Sequence, residues 1–328
     1  MQEIVIKGQE ANQRVDKYVR KYLNNAPLNF IYRLFRKKDV KINGHWVDIN
    51  YVLKENDTLR LYVTDQQIAE LSKPKEMPNT KVVESVVFED DNILIVNKSK
   101  GILVHGDENE KVHTLSNQVL NYLMQKEEYN PREIKGFVPA PAHRLDRNTS
   151  GLVIFAKNLI ALQELESMFK TRKGIEKHYM ALVVGTVNKG RTIDFPLKKD
   201  AKAKLVKVDK VANGALEAKT EISVIRHYGD YTLLDVRLLT GRTHQIRVHL
   251  KAIGHPIIGD GKYGDFKQNR LFKEQFNYDT QFLHAYRLKF VDNGGLLQYL
   301  NNHEVISTMS KTETDILDAL DTKEKKKW

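Results

Sequence analysis

Residues 143–152 read His-Arg-Leu-Asp-Arg-Asn-Thr-Ser-Gly-Leu and run into an apolar segment that predicts a strand over Leu152–Ala156. The stretch is therefore expected to be a loop at one edge of a sheet. Its single carboxylate, Asp146, lies between Arg144 and Arg147, and nearby opposite charge favours the ionised form. Such a group could act as nucleophile or base at a ribose carbon while the arginines hold phosphate. Local chemistry alone favours the plainer alternative, an Asp–Arg pair that pins the loop.

Two further stretches contain residues suited to RNA. Gly241 and Arg242 precede a predicted helix, whose N-terminus favours an anion, and Arg242 could reach a phosphate or Asp146. Tyr179 opens a predicted strand and could stack on a base. When each residue is considered alone, Arg242 is more simply a surface residue of an ordinary capping loop, and Tyr179 is more simply a core residue.

The composition favours a polyanionic partner without requiring one. The 328 residues include 53 Lys and Arg against 42 Asp and Glu, a net charge of +11. Each phosphate contact by such a chain releases a counterion, although a merely soluble basic protein explains the charge equally well. The absence of cysteine excludes disulfides, thiolate zinc sites and a cysteine nucleophile. The sequence shows no apolar run of membrane-spanning length and no apolar leader, so we expect a cytoplasmic protein with no membrane partner.

Residues of about 10 to 70 are predicted to form a small helix-helix-hairpin unit. Apolar residues recur at helical spacing after Arg14, and Asn29 is the predicted N-cap of a second helix that runs to Lys38. Asn43-Gly44 is a strong signal for a hairpin turn.

The second of these helices has a basic face. Arg33, Arg36 and Lys37 are among five basic residues in 29–41, and Asp39 is the one acidic residue there. A merely solvated face normally mixes both signs of charge. We therefore predict that Arg33, Arg36 and Lys37 contact phosphates.

The remainder is predicted to be a proline-containing linker over 73–83, an α+β domain over 84–300 with a largely antiparallel or mixed sheet, and a mobile polar tail over 301–328. A short helix near Ile316–Leu320 is possible within that tail. Strands are predicted at Ile93–Val96, Leu152–Ala156, Tyr179–Val184, Tyr231–Leu238 and Ala285–Phe290. Helices are predicted at Leu115–Met124 with Thr114 as cap, Leu159–Phe169 with Asn158 as cap, and about 244–253 with Thr243 as cap.

Two patterns that suggest a cofactor or metal are set aside. Gly259 to Gly264 matches G-x-G-x-x-G, but no periodic helix is predicted after it, so we expect a tight loop and not a dinucleotide site. His244, His249, His255 and His284 come without a metal-binding pattern. We therefore expect neither cofactor nor metal.

Taken together, several motifs resemble those of the RluA-type pseudouridine synthases. The stretch from His143 is similar to the signature loop of that family. Other matching segments follow in the family's order, at 97–105, 177–185, 239–250, 254–260 and 282–285. Ser99 stands where the family usually has proline. Residues 13–72 resemble the small S-four-type RNA-binding domain, which is named after a ribosomal protein.

The resemblance implies a cofactor-free isomerase that converts uridine to pseudouridine in structured RNA. It implies that Asp146 is the catalytic aspartate, that Arg144 helps to displace the target base, and that Tyr179 contacts the flipped uracil. Arg242 would pair with Asp146 and orient it, and Leu283 would pack against the base. Large-subunit ribosomal RNA is expected as substrate ahead of transfer RNA, and the protein is expected to be a monomer.

Two other functions compete with this interpretation. A pure RNA-binding or ribosome-assembly protein explains the basic N-terminal unit, but not why Asp146, Tyr179 and Arg242 all match catalytic motifs. A glycosidase usually pairs two carboxylates, and a nuclease usually holds metal with carboxylates. The sequence offers Asp146 no such partner.

Overall fold

The computed structural model describes residues 1–73, 77–83, 85–131, 137–200 and 205–325. An N-terminal unit is built on a four-stranded sheet, and a larger unit is built on a ten-stranded sheet. The N-terminal unit has its own cluster of buried apolar side chains, distinct from the clusters of the larger unit. Within the described ranges, no helix is both long and apolar enough to cross a membrane.

The N-terminal unit combines helices with an antiparallel sheet in the order β1-β4-β2-β3. Its elements are β1 (Gln2–Val5), α1 (Val15–Tyr22), α2 (Leu28–Arg36), β2 (Val40–Ile42), β3 (His45–Trp46), β4 (Thr58–Leu61) and α3 (Asp65–Leu71). Asn43 and Gly44 have φ of +51° and +82°, the left-handed conformation that a two-residue hairpin turn requires. The predicted hairpin is therefore present, within a larger sheet than was expected.

Helix α2 begins two residues before the prediction. Pro27 is its N-cap, with φ −63°, and Asn29 lies inside the first turn. Proline fixes φ and lacks an N–H that would need a partner, so the chain can enter the helix directly after it. The helix ends at Arg36, before the left-handed Lys38. Arg33, Arg36 and Lys37 are exposed, as a phosphate-binding face requires, and their contact with RNA stays a prediction.

The larger sheet is mixed, as predicted. Its strand order is β10-β13-β14-β9-β15-β8-β6-β5, with β7 beside β8 and β16 beside β15. The pair β8–β15 is parallel and the other pairs are antiparallel. Strands β11 and β12 form a separate antiparallel pair. The bounds are β5 (Val86–Glu89), β6 (Ile93–Lys98), β7 (Ala140–Pro141), β8 (Ser150–Ala156), β9 (Ile175–Val184), β10 (Arg191–Asp194), β11 (Leu197–Asp200), β12 (Leu205–Val208), β13 (Lys219–Tyr228), β14 (Tyr231–Leu238), β15 (Leu283–Phe290) and β16 (Glu304–Ile306).

The predicted caps of two helices are confirmed. The helices of this unit are α4 (Leu115–Gln125), α5 (Leu159–Thr171), α6 (Gln245–Ala252), α7 (Phe266–Phe276) and α8 (Lys311–Lys325). Thr114 and Asn158 accept backbone N–H bonds at the starts of α4 and α5. The predicted cap of α6, Thr243, is wrong. His244 is the N-cap and is left-handed, with φ +54°, so helical geometry begins only at Gln245.

The glycine-rich segment forms a tight loop, as expected. A Cβ on Gly259 would lie 2.0 Å from the carbonyl oxygen of Thr280, so no larger residue fits there without movement. The expectation that no helix follows is wrong, because Asp265 caps α7 directly after this loop. Phe272 is the one buried residue of α7, which explains why the apolar periodicity of this helix is weak.

The prediction of a mobile polar tail is wrong for residues 301–325. Strand β16 pairs with β15, and α8 packs Ile316, Leu317 and Leu320 into the main core. The short helix expected near Ile316–Leu320 is the middle of α8. A few apolar residues in a polar segment give only a weak helical pattern in the sequence. They are enough to attach the helix to the core because they lie on one face of it.

The described part of the predicted linker, residues 77–83, also packs on the larger unit. Val83 is buried in the main core, and Asn121 of α4 donates to the carbonyl oxygens of Pro78 and Thr80.

Candidate active site

An open cleft of about 1150 Å³ lies at the edge of the sheet where β8 and β15 begin. Because these neighbouring strands are parallel, the segments that precede them meet at the same edge. Gly151, with φ +115°, permits the contact, since a Cβ there would lie 2.2 Å from the carbonyl oxygen of Ala285. The fold brings five of the predicted site residues to this cleft, namely Arg144, Asp146, Tyr179, Arg242 and Leu283.

Asp146 is paired with Arg247, and the predicted pair with Arg242 is wrong. Nη1 of Arg247 donates to Oδ2 of Asp146 at 2.9 Å. Nε of Arg242 donates instead to the carbonyl oxygen of Glu217 at 3.0 Å. Because α6 begins at Gln245, Arg247 lies in its first turn with a buried side chain, whereas Arg242 stays in the preceding turn.

A second carboxylate holds Arg247 in place. Nε and Nη2 of Arg247 donate to the two oxygens of Asp260 at 2.7 and 2.8 Å. Oδ1 of Asp260 also accepts the backbone N–H groups of Lys262 and Tyr263. Burial alone would raise the pKa of Asp260, but the hydrogen bonds and charge of Arg247 lower it below its usual value. Asp260 therefore holds Arg247, and Arg247 in turn holds Asp146 in one orientation. Asp260 belongs to the glycine-rich loop.

His244 is another titratable group beside Asp146. Its Nε2 lies 3.8 Å from Oδ2 of Asp146, and its Nδ1 lies 2.9 Å from the hydroxyl of Tyr263. That hydroxyl also accepts the backbone N–H of Val206. Burial lowers the pKa of His244, which favours the neutral ring. The sequence interpretation considered His244 only as a metal ligand and missed this contact.

Tyr179 and Leu283 supply apolar surface beside Asp146. They are 5% and 3% exposed, and both line the cleft while belonging to the main core. Burial, together with the charge of Asp146, raises the pKa of Tyr179, so its phenol stays protonated. A ring and a branched aliphatic side chain can together hold a planar base.

The two arginines that flank Asp146 in sequence differ in their contacts. Arg144 is exposed and lines the cleft, and none of the described residues pairs with it. Arg147 does not line the cleft, and its Nη2 lies 3.6 Å from Oδ2 of Asp107. Arg33, Arg36 and Lys37 lie elsewhere, on the N-terminal unit, where a smaller pocket includes Arg33 and Arg36.

Lys98 is a further functional candidate that sequence reasoning missed. It is 1% exposed, and its Nζ donates to the carbonyl oxygens of Ser99, Ile102 and Arg147 at 2.9 to 3.0 Å. Burial lowers its pKa to about 7. These hydrogen bonds connect the loop after β6 to the loop of Asp146. They could not be predicted from the sequence, because their acceptors are backbone atoms.

No cluster of three or more His, Cys, Asp or Glu side chains that could hold a metal occurs within the part of the chain that the structure describes. Like His244, the other three histidines set aside earlier have protein partners. His249 contacts Thr220, His255 contacts the carbonyl oxygen of Val184, and His284 contacts Ser150.

The chain is similar in sequence to known proteins. Residues 92–252 match the family model described as RNA pseudouridylate synthase. Ribosomal large subunit pseudouridine synthase C of Vibrio cholerae is 33% identical over 296 residues, which covers 89% of each chain. The protein of the same name from Escherichia coli K12 is 33% identical over 297 residues, with the same coverage.

Two human structures share the fold. RNA pseudouridylate synthase domain containing 4 aligns with a TM-score of 0.56 at 21% identity, covering 72% of this chain and 93% of its own. RNA pseudouridylate synthase domain containing 1 aligns with a TM-score of 0.51 at 25% identity, covering 76% and 97%.

The fold, the cleft and these likenesses define an RNA-modifying isomerase. The chain belongs to the family of RluA-type RNA pseudouridine synthases.

Proposed function

We propose that the protein converts uridine to pseudouridine in large-subunit ribosomal RNA, with Asp146 as its catalytic carboxylate. The observation that carries the proposal is the setting of Asp146. Its side chain is 30% exposed to an open cleft, and its Oδ2 is held by Arg247. Its Oδ1 has no hydrogen-bond partner among the described residues, so that oxygen is free to face a ribose.

The reaction needs little beyond such a carboxylate. The bond from the ribose carbon to a ring nitrogen breaks, the uracil turns, and a ring carbon joins the ribose in place of that nitrogen. The ring carbon loses a proton and the nitrogen gains one, so atoms and electrons balance without an external reagent. Asp146 can attack the ribose carbon or remove a ribose proton, and both routes require its free oxygen at the sugar.

The other cleft residues suit the steps that precede chemistry. A base stacked in folded RNA must be flipped at a cost of a few kcal/mol. The unpaired guanidinium of Arg144 can enter the space that the base leaves, and Tyr179 and Leu283 can hold the flipped uracil. Arg242 stands at the N-terminus of α6, where a phosphate fits its remaining donors. Orientation of Asp146, first assigned to Arg242, falls to Arg247.

RNA affinity is proposed to come from several basic surfaces. Residues 13–72 would act as an S-four-type RNA-binding domain through the exposed Arg33, Arg36 and Lys37, and Arg147 would exchange Asp107 for a phosphate. The ribosomal substrate is proposed from the names of the Vibrio and Escherichia relatives. Such a substrate would place the enzyme in the cytoplasm, and we propose that it acts as a monomer.

The test is a map of pseudouridines in ribosomal RNA from a strain that lacks the gene. We expect one or a few pseudouridines of the large subunit to disappear. Wild-type protein should restore them, whereas an equally abundant Asp146→Asn variant should not. An unchanged large-subunit map with losses in transfer RNA would refute the ribosomal assignment, and restoration by Asp146→Asn would refute the catalytic one.

A further inference from the structure

Lys177 is a cation in the cleft for which no described residue supplies a counter-ion. It lies on β9 two residues before Tyr179, so both side chains leave the same face of the sheet, and both line the cleft. Its Nζ lies 4.7 Å from the centroid of the Phe169 ring. No hydrogen bond or ion pair to Nζ is formed by any residue in the described ranges. The neighbouring Glu176 is already paired with Arg237 at 2.7 Å.

His143 places a second unused donor beside the same ring. Its ring centroid lies 5.0 Å from that of Phe169. Nε2 of His143 accepts the backbone N–H of Ile154 at 3.2 Å, which leaves its hydrogen on Nδ1. Nδ1 is buried without a partner among the described residues. Both donors therefore lie close to the Phe169 ring, and the described protein supplies an acceptor to neither.

These two donors are costly to leave unsatisfied. Burial lowers the pKa of Lys177 to about 8. Burial and the charge of Lys177 also lower the pKa of His143 well below its usual value. A bound anion would offset the charge of Lys177. A carbonyl of a base could accept a hydrogen bond but would not neutralise the charge.

We propose that Lys177 forms a phosphate subsite that binds one backbone phosphodiester next to the target uridine. This inference rests on the proposed function, because it takes structured RNA as the ligand. Same-face neighbours on a strand are about 7 Å apart, which places the subsite close to the base that Tyr179 would hold. The subsite would fix the RNA strand on one side of the flipped nucleotide while Asp146 acts on its ribose.

The first test measures binding of an RNA fragment whose uridine the wild-type enzyme converts, at several salt concentrations. Lys177→Gln should weaken binding about tenfold and lower the slope of log K against log salt by about one. Lys177→Arg keeps the charge and should preserve most of the affinity. Lys267→Gln removes an exposed charge of α7 outside the cleft and should change neither quantity. Equal slopes for wild type and a folded Lys177→Gln would overturn the proposal.

The second test uses the wild-type protein first and so does not depend on the folding of a variant. Each RNA carries one uncharged methylphosphonate linkage near the target, with a matched phosphodiester RNA of the same sugar chemistry. One linkage adjacent to the uridine should weaken wild-type binding about tenfold, and Lys177→Gln should lose sensitivity at that linkage alone. If no adjacent linkage matters to wild type, or if Lys177→Gln shows the same profile, the subsite does not exist. A failure of the proposed function would differ, since wild type would then form no pseudouridine in any fragment.

Discussion

Arg247 joins two carboxylates whose surroundings differ. Asp260 is fully buried, whereas the side chain of Asp146 is 30% exposed to the cleft. The buried partner contributes two of the three hydrogen bonds, so it fixes the guanidinium before substrate arrives. Asp146 is then held by one oxygen in a fixed direction. This preorganisation matters because the carboxylate must approach the ribose in one geometry.

We predict that Arg247→Ala lowers the free energy of unfolding by about 3–5 kcal/mol, because it leaves Asp260 buried without a counter-ion. Arg242→Ala removes a partly exposed side chain and should cost less than about 1 kcal/mol. Denaturant unfolding of both variants measures the difference. Equal losses would mean that Arg247 and Asp260 do not form the buried pair described above.

The sequence could identify Asp146, Tyr179 and Leu283 as cleft residues because each stands alone in a recognisable motif. It could not choose between Arg242 and Arg247, which lie five residues apart in one motif. That choice depends on where α6 begins, and the left-handed His244 sets this start. Helix boundaries are what local patterns predict least well, because cap geometry depends on tertiary contacts.

At the scale of elements, α8 is attached to the active-site region by a buried ion pair. Nζ of Lys100 lies 2.6 Å from Oε1 of Glu313, and the Glu313 side chain is fully buried. Tyr278 and Ser310 donate to the two oxygens of Glu313. Lys100 also donates to the carbonyl oxygen of Gln281, whose Nε2 donates to Thr149 in the loop of Asp146. The C-terminal helix is therefore connected to the loop of Asp146 through Lys100 and Gln281.

We predict that Glu313→Gln lowers the free energy of unfolding by about 3–5 kcal/mol at neutral pH, because it leaves the largely buried Lys100 without its counter-ion. Burial alone would raise the pKa of Glu313, but the charge of Lys100 lowers it below its usual value. The unfolded chain therefore takes up the proton first as pH falls. The stability contribution is complete above the unfolded pKa of about 4.3 and is lost as pH falls through the lower folded pKa.

Denaturant unfolding between about pH 3 and 7 measures this difference. Glu274→Gln is the matched control, because Glu274 forms a solvent-exposed pair with Arg270, and exposed pairs contribute little to stability. A pH-independent difference between wild type and Glu313→Gln, or one that grows on acidification, would contradict the assigned direction of the pKa shift.

Elements with strong apolar runs or side-chain caps were predictable, among them β6, β14 and α4. Helix α8 was predicted only in its middle, and strand β13 was missed, because many of their residues are polar or exposed. Their few buried residues stabilise these elements only by packing against the rest of the sheet and the core. Local patterns cannot express such dependence on distant parts of the chain.

At the scale of the whole molecule, one strand pairing assembles the site. The parallel contact of β8 with β15 joins Ser150 to His284 and brings the loop of Asp146 beside Leu283. Strand composition predicted an α+β fold with a mixed sheet but could not give the strand order, because the pairs are distant in sequence. The N-terminal unit has its own core, and Gln163 of α5 donates to the carbonyl oxygen of Asn12 across the two units. Its role as an RNA-binding domain stays a prediction.

The most direct test of the account is single-turnover pseudouridine formation by Asp146→Asn, measured beside RNA affinity and melting temperature of the same variant. The substitution keeps the shape of the side chain but removes its charge. We predict that product formation falls below detection while RNA affinity changes little, because affinity rests on many phosphate contacts. Arg144→Lys is the control for a charge-preserving change in the same loop and should remain measurably active. Substantial turnover by a folded Asp146→Asn would contradict the account, because the carboxylate would then only pin its loop.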